Sequence, residues 1–202
     1  MIFEVECRRR ITKPPENLEE YLKGVLSNLG FYLEEEIEAT DHYYSLRDMW
    51  LRLRDYESGG TRKACLQTKK MLHPHYDMGI RVAEEHTMNV YPAGIDKYLK
   101  CTHHNLLGKI SGKRRIYRNP MSNVEITLDR VFGARKDGEV VNLGHFIEIS
   151  VDLEGPYNKL RITRAVESIK SLLERLSEYL DTIGAEVEPR TYPEIVFAEK
   201  DS

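Results

Sequence analysis

Hydrophobic and polar side chains alternate along much of the chain, and a period of two is typical of β-strands that bury one face. The first residues predict such a strand. Its apolar face, with Arg9 as the exception, consists of Phe3, Val5, Cys7 and Ile11. Its other face carries two acids followed by two bases: Glu4, Glu6, Arg8 and Arg10. For this strand alone a solvated sheet face is the favoured interpretation. The competing interpretation is a site that holds a divalent cation and a polyphosphate together. It gains support because charged faces recur in later strands.

The same alternation continues to the middle of the second half of the chain. It predicts strands over residues 31–39, 43–44, 50–55, 63–69, 80–90, 109–118, 123–132 and 145–153. The sequence Ser58-Gly59-Gly60 between two of these segments is a hairpin signal. A polar loop at Lys136-Asp137-Gly138 separates the last two strands.

Three segments show helical rather than strand periodicity. The first begins at Pro14-Pro15, since proline is tolerated in a first helical turn, and ends near Gly30. A short helix is predicted within residues 93–107. A long helix is predicted over residues 159–183, with Gly184 as its C-terminal cap. About eight strands and three helices predict an α+β fold with a large antiparallel sheet.

Charged or hydroxylic residues recur on one face of six predicted strands. Arg52 and Arg54 alternate with leucines, and Lys69 shares a face with Gln67. The segment Lys113-Arg114-Arg115 places basic residues on both faces of its strand. The polar positions of the last two strands include Glu125, Asp129, Glu148, Ser150 and Asp152. An open sheet would turn these side chains to water. A closed barrel with outer helices would turn them inward. There they are stable only if the lumen contains water and the opposite charges neutralise one another. The residues leave both arrangements open.

Composition narrows the class of protein. The chain has 202 residues and a formal net charge of −3, and its pI is near 6.2, so we expect no nucleic-acid polymer as a partner. We expect a single domain over residues 1–202 and no association with a membrane, because no apolar run has the length of a membrane span. The three cysteines are scattered, which predicts no disulfide framework and a reducing, cytoplasmic location.

A series of short motifs resembles the CYTH family, also called triphosphate tunnel metalloenzymes. Glu4-Val5-Glu6-Cys7-Arg8 resembles its ExExK signature, with arginine in place of lysine. Further resemblances follow in order at Asp41–Tyr44, Leu51–Arg54, Leu66–Lys69, Arg114–Tyr117, Leu128–Val131, Gly144–Ile149 and Arg190–Tyr192. Two more positions depart from the family pattern. Gly112 stands where lysine is expected, and Ser150 stands where many relatives have a second acid.

The resemblance implies an eight-stranded antiparallel β-barrel, the triphosphate tunnel, with helices packed outside. It implies Mg²⁺ or Mn²⁺ as cofactor and a triphosphate-containing small molecule as ligand, bound by a monomer or homodimer. Carboxylates suit such cations, and arginine and lysine suit phosphate. The metal ligands are then expected among Glu4, Glu6, Glu125, Asp129 and Glu148. The substrate-binding residues are expected among Arg8, Arg52, Arg54, Lys69, Lys113, Arg114 and Arg115. Catalytic roles are expected for Glu6, Arg54 and Lys69, and Arg81 and Glu85 are expected to form a structural pair in the wall.

Three functions are compatible with these residues. The first is a metal-dependent phosphohydrolase that acts on inorganic triphosphate, thiamine triphosphate or a nucleoside triphosphate, with a carboxylate such as Glu6 orienting and deprotonating water. The alternative is a class IV adenylyl cyclase that makes cyclic AMP and pyrophosphate from ATP. The third is a non-catalytic module that binds polyphosphate or nucleotide. Tyr43-Tyr44 and Trp50-Leu51-Arg52 resemble thiamine triphosphatases, whereas Glu148-Ile149-Ser150 and Glu188–Tyr192 resemble the cyclases.

Overall fold

The computed structural model describes residues 1–46, 49–73, 77–91 and 106–197. The strands in these residues are β1 (Ile2–Ile11), β2 (Tyr32–Leu46), β3 (Met49–Ser58), β4 (Thr61–His73), β5 (Ile80–Val90), β6 (Leu106–Arg118), β7 (Val124–Arg135), β8 (Val140–Glu154) and β9 (Ala185–Val187). The helices are α1 (Leu18–Asn28), α2 (Lys159–Thr182) and α3 (Tyr192–Phe197), and a short 3₁₀ turn spans Asp77–Gly79.

The first eight strands form a closed antiparallel barrel. Hydrogen bonds connect them in the order β5-β4-β3-β2-β6-β7-β8-β1, and β1 also pairs with β5. At this seam Glu6 lies opposite Arg81 on one side and opposite Ser150 on the other. Strand β9 adds to the end of β1, where Arg9 faces Val187. The closed-barrel interpretation is therefore confirmed, and the open sheet is excluded.

The main hydrophobic core lies outside the barrel, between the outer faces of its strands and the helices α1 and α2. Because side chains alternate along a strand, the apolar residues of β1, β7 and β8 point to these helices while their charged neighbours point inward. Leu22 and Leu26 of α1 and Ile169 and Leu173 of α2 are all nearly inaccessible to water. The side chain of Asn158 caps α2 by accepting a hydrogen bond from the Arg161 amide at 3.1 Å. This core orients the barrel wall and leaves the lumen free for polar groups.

Helix α3 closes one end of the lumen. Ile110, Val131 and Phe146 continue the inward-facing rows of β6, β7 and β8, and they pack with Tyr192 and Val196 of α3.

The backbone makes room for this helix. A Cβ atom added to Gly133 of β7 would lie 2.6 Å from Cγ2 of Val196. Arg135 then fixes the end of the helix by donating a 2.6 Å hydrogen bond from Nε to the Val196 carbonyl. The tunnel thus has an apolar plug at this end.

Several predicted boundaries differ from the structure. Helix α1 begins at Leu18 rather than at the two prolines, and β2 is one continuous strand. Strands β7 and β8 extend to Arg135 and from Val140, so the predicted polar loop is a tight connection between them. The helix predicted over residues 93–107 falls mostly outside the described residues, and its last two positions begin β6.

The cysteines and the helices also bear on the predictions about disulfides and membranes. Cys7 and Cys65 are buried free thiols, and the third cysteine lies outside the described residues. Among the described residues, no helix combines the length and the apolar character that crossing a membrane requires.

Candidate functional site

The barrel lumen contains a cavity of about 210 Å³ lined by charged and aromatic side chains. Strand alternation explains the convergence, since each wall strand turns every second residue inward. The charged residues that line the cavity include Glu4, Arg8, Arg52, Lys69, Glu85, Arg114 and Glu148. Acids and bases are interleaved rather than segregated, and this allows a charged interior to be stable without a ligand.

Three carboxylates form a cluster in the wall of this lumen. One oxygen from each of Glu4, Glu6 and Glu148 lies within 4.8 Å of the other two. Glu4 and Glu6 are alternate residues of β1. Glu148 belongs to the neighbouring strand β8, where it lies opposite Arg8 of β1. Three oxygen ligands at this spacing are the donor set that Mg²⁺ and Mn²⁺ prefer.

Glu6 is the most enclosed member of the cluster. Its Oε1 accepts hydrogen bonds from Lys69 Nζ at 2.9 Å and from Arg81 Nε at 2.6 Å. Its Oε2 is buried and accepts no hydrogen bond from any residue that the structure describes, although Arg8 Nη2 lies 4.0 Å away. Burial alone would raise the pKa of Glu6, but the charges of Lys69, Arg81 and Arg8 lower it well below its ordinary value. The side chain is therefore ionised and has one free buried oxygen.

The pKa of Glu4 is shifted in the opposite direction to that of Glu6. Burial, followed by the nearby charge of Glu6, raises the pKa of Glu4 to about 8. The ammonium group of Lys69 hydrogen bonds to Glu4 as well as to Glu6. Two carboxylates this close repel each other, and a bound cation would relieve the repulsion.

Two arginines line the cavity beside the carboxylates and are held in place by acids. Arg8 donates from Nε to Glu148 Oε2 at 2.9 Å. Arg114 forms a bidentate pair with Asp129 at 2.8 and 2.6 Å, and its Nη2 lies 3.4 Å from Glu148 Oε1. Glu148 thus connects both arginines to the acidic cluster. Guanidinium groups fixed in this manner are suited to bidentate binding of phosphate.

A second pair of arginines lies on β3 and shares a single acid. Arg54 donates from Nε and Nη2 to the two oxygens of Asp41 at 2.7 and 2.8 Å. Arg52 reaches the same carboxylate at 3.5 Å only. Burial alone would raise the pKa of Asp41, and the charges of Arg54 and Arg52 reverse the effect and lower it. Arg52, which lines the cavity and also hydrogen bonds to the Tyr43 hydroxyl, therefore makes the weaker contact with this acid.

The structure does not bring Lys113 and Arg115 to the lumen. Because neighbours on a strand point to opposite faces, the inward position of Arg114 turns both outward. Lys113 and Arg115 form ion pairs with Glu36 at 2.6 and 2.8 Å, and Arg115 also pairs with Glu19 of α1. The pairing of β6 with β2 and with β7 is continuous at Lys113, Arg114 and Arg115, so no local register shift turns the two outer residues inward.

Two of the expected metal ligands are also placed away from the acidic cluster. Glu125 pairs with Arg118 at a more exposed position, with a shortest distance of 2.6 Å. Asp129 uses both of its oxygens, since Arg114 binds them and the Tyr192 hydroxyl donates to Oδ2 at 2.9 Å. Ser150, the substitute for a second acid, lies opposite Glu6 in the β1–β8 register.

Three residues that the structure places in the site were not assigned to it from the sequence. Arg81 was expected to pair with Glu85, but Arg81 bonds to Glu6 instead and Glu85 accepts from Gln67. Asp41 lies in a recognised motif, and its position facing Arg54 could have suggested a role. Tyr192 lies in the motif Arg190–Tyr192. Apart from the family resemblance, nothing in the sequence suggested a role for it.

Comparisons with known proteins agree with this architecture. The structure of the PH1012 protein from Pyrococcus horikoshii OT3 matches with a TM-score of 0.69 and 23% identity, over 96% of this chain and 99% of that chain. A conserved hypothetical protein from Pyrococcus furiosus matches with a TM-score of 0.61 and 22% identity, over 96% and 99% of the two chains. The putative adenylyl cyclase HpAC1 from Hippeastrum, described as having a dominant triphosphatase activity, matches with a TM-score of 0.57 and 18% identity, over 95% and 94%.

The sequence comparisons give one family. No curated protein matches the chain significantly. The family model for the CYTH domain matches residues 3–182, which include the eight barrel strands and helix α2. By this match, the chain belongs to the CYTH domain family.

Proposed function

We propose that this protein is a metal-dependent phosphohydrolase that binds a triphosphate in the barrel lumen. The observation that carries the proposal is the free, buried Oε2 of Glu6 within a cluster of three carboxylates. A buried carboxylate oxygen without a donor is unfavourable unless a cation or ligand satisfies it. The description of HpAC1 as a triphosphatase supports the same class of reaction.

The residues fit a divalent cation. Glu4, Glu6 and Glu148 would hold Mg²⁺ or Mn²⁺ through oxygen atoms, with water in the remaining coordination positions. A bound cation of this kind supplies neutralisation of charge on the phosphate oxygens. Lys69 and Arg81 keep Glu6 ionised in the absence of the cation, so that the site is ready to bind it.

The cations of the lumen would bind the phosphate chain. Arg8, Arg114 and Lys69 are paired with acids in the ligand-free protein, and a phosphate oxygen can replace one of those partners. Arg52 has the longest contact with its acid and would be the first to turn to phosphate. Hydrolysis then requires a water molecule in line with the bond that breaks. The catalytic roles of Glu6, Arg54 and Lys69 stay predictions.

A class IV adenylyl cyclase is the second candidate function. It is favoured by the aromatic residues Tyr43 and Trp50, which line the same cavity as the charged groups and leave apolar surface for the organic part of a nucleotide. In that reaction the ribose 3′-hydroxyl attacks the α-phosphorus and pyrophosphate leaves.

The decisive experiment supplies tripolyphosphate, thiamine triphosphate and ATP in turn, with Mg²⁺ or Mn²⁺, and identifies the products by chromatography. Orthophosphate supports the phosphohydrolase, and cyclic AMP with pyrophosphate supports the cyclase. Binding of these compounds with no product supports the third possibility, a non-catalytic module.

A matched pair of variants connects the activity to the carboxylate cluster. We expect Glu4→Gln to abolish metal-dependent turnover and to weaken Mn²⁺ binding measured by calorimetry, since it removes one of three ligands. Glu125→Gln changes an acid on a neighbouring part of the barrel that pairs with Arg118, and we expect it to leave both properties unchanged. Equal loss in the two variants would contradict the assignment of the metal site.

A further inference from the structure

Tyr192 connects the apolar plug to the cations of the lumen. It is the first residue of α3, and its side chain is buried. The Arg8 guanidinium lies over its ring, with 4.1 Å between the guanidinium carbon and the ring centroid. The Tyr192 hydroxyl donates a 2.9 Å hydrogen bond to Oδ2 of Asp129. One side chain therefore contacts a lumen arginine of β1 and an acidic residue of β7, two strands away in the barrel.

Asp129 extends this contact to a second arginine. Its two oxygens accept the bidentate pair from Arg114, which lines the cavity. Arg8 and Arg114 also share Glu148. Tyr192 thus completes a connected group in which Arg8 is held by Glu148 and the Tyr192 ring, and Arg114 is held by Asp129 and Glu148.

The surroundings of Tyr192 leave it little freedom. Its ring packs edge to face on Phe146, with ring centroids 5.0 Å apart. Two residues of the segment before α3 also bind arginines of the site, since the carbonyl of Arg190 accepts from Arg8 at 3.3 Å and that of Pro189 accepts from Arg81 at 2.9 Å. Burial and the charge of Asp129 raise the pKa of Tyr192 well above its ordinary value. The hydroxyl is therefore protonated and available as a donor at neutral pH.

We infer that Tyr192 is a positioning residue that holds the guanidinium groups of Arg8 and Arg114 in the orientation in which they receive phosphate. Arginine side chains have many rotamers, and fixing them before the ligand arrives lowers the entropy lost on binding. A phenylalanine would keep the ring under Arg8 but lose the bond to Asp129, and a leucine would lose both. The ligand-binding part of this inference rests on the proposed function.

The experiment measures the arginines and the ligand separately. Side-chain ¹⁵N relaxation of Arg8 and Arg114 in the ligand-free protein reports their order without any phosphate. Calorimetry with tripolyphosphate in the absence of metal reports binding. The variants are Tyr192→Phe and Tyr192→Leu. Tyr117→Phe is the control, because Tyr117 is buried in the core outside the barrel.

We expect the order of Arg114 to fall in both Tyr192 variants and that of Arg8 to fall in Tyr192→Leu. The lost hydrogen bond acts on the phosphate only through Asp129 and Arg114, so we expect tripolyphosphate binding to weaken about three- to tenfold in Tyr192→Phe, the usual effect of one hydrogen bond. Loss of the cation–π contact as well should bring the total to about 30-fold in Tyr192→Leu. In an Asp129→Ala background, which removes the acceptor of the Tyr192 hydroxyl, Tyr192→Phe should cause little further loss, because both changes break the same connection.

Two results would overturn the inference: unchanged arginine order in Tyr192→Leu, or equal effects of Tyr192→Phe and Tyr117→Phe on binding. Lack of tripolyphosphate binding by the wild-type protein would count against the proposed function instead, and the relaxation data would still decide whether Tyr192 positions the arginines. Thermal unfolding of each variant separates local disorder from loss of the fold.

Discussion

Arg81 donates a 2.6 Å hydrogen bond from Nε to Oε1 of Glu6, and the two side chains are only 2% and 0% exposed. The residues are 75 positions apart in the chain and meet because β1 and β5 close the barrel. Nη1 of Arg81 is bound to the Pro189 carbonyl, so this arginine also fastens the segment that leads to α3. The pair thus joins the barrel seam, the acidic cluster and the plug.

Removing Arg81 should destabilise the protein strongly. Arg81→Met leaves the buried carboxylate of Glu6 with Lys69 as its hydrogen-bonded cation and Arg8 at 4.0 Å, and breaking a buried pair costs about 3 kcal/mol or more. We expect a decrease of this size in the free energy of unfolding, measured with urea. Adding Glu6→Gln should restore part of it, because the unpaired charge is then removed. Arg118→Met, which affects an ion pair exposed at the surface, should cost less than about 1 kcal/mol. Similar decreases in the free energy of unfolding for Arg81→Met and Arg118→Met would show that the buried pair contributes no more to stability than the exposed one.

Arg52 and Arg54 should respond differently to truncation. Arg52→Ala removes a cation that lines the cavity and contacts Asp41 at 3.5 Å only. A charge-assisted hydrogen bond is worth about 1.5–3 kcal/mol, so we expect KM for the triphosphate to rise roughly 10- to 100-fold with little change in stability. Arg54→Ala breaks a bidentate pair and should lower the free energy of unfolding as well. Steady-state kinetics and urea titration distinguish the two.

The control for this pair is Lys113→Ala. Lys113 is paired with Glu36 on the outer face of the barrel, and we expect KM to stay at the wild-type value. A rise in KM comparable with that of Arg52→Ala would mean that the outer face also binds substrate.

Asp41 should give the protein part of its resistance to acid. Its pKa in the folded state is lower than its ordinary value of 3.8. The stabilisation is therefore fully present above about pH 4 and is lost as the pH falls through the lowered pKa. Asp41→Asn should reduce the free energy of unfolding by about 3 kcal/mol at pH 7, and the difference from wild type should shrink below pH 4.

Asp55→Asn is the matched control for acid stability. Arg62 lowers the pKa of Asp55 through a hydrogen bond, but the pair is exposed. We expect an effect below about 1 kcal/mol at all pH values. Urea titrations at pH 3 to 7 test both variants, and a difference for Asp41→Asn that grows on acidification would contradict the assignment.

The plug depends on the absence of a side chain at residue 133. Gly133→Ala would place a Cβ atom 2.6 Å from Cγ2 of Val196, so α3 must shift. Overpacking of this kind costs about 1–3 kcal/mol. Trp50 is the single tryptophan of the chain and packs against the cluster that contains Val196. We expect its fluorescence maximum to move to longer wavelength.

Gly24→Ala serves as the control for the plug. Gly24 lies in α1, and an added Cβ atom would meet no atom within 4 Å in the part of the chain that the structure describes. We expect unchanged tryptophan emission and a small gain in stability, since alanine favours helices. An unchanged spectrum in Gly133→Ala would mean that α3 does not press on this glycine.

The sequence determined by itself which residues could enter a lumen. Alternation separates the two faces of each strand, so Glu4, Glu6 and Arg8 had to lie on one side and Val5 and Cys7 on the other. The order of the motifs also identified the family and the barrel. The strand that contains Arg114 shows the limit of this reasoning. Lys113 and Arg115 were expected to bind substrate because they are basic. The structure shows that Arg114 points into the lumen, and the same period of two then places its two neighbours outside.

Only the tertiary structure decided how the charged residues pair. Glu6 is bound by Lys69 and Arg81 because closure of the barrel brings β4 and β5 beside β1, and no local pattern encodes that register. The helix α3 has six residues, too few to show a helical period, so its place in the lumen and the contacts of Tyr192 were beyond prediction. Periodicity acts over a few residues along the chain, whereas the site is built from contacts between strands far apart in sequence, and those depend on the closed barrel as a whole.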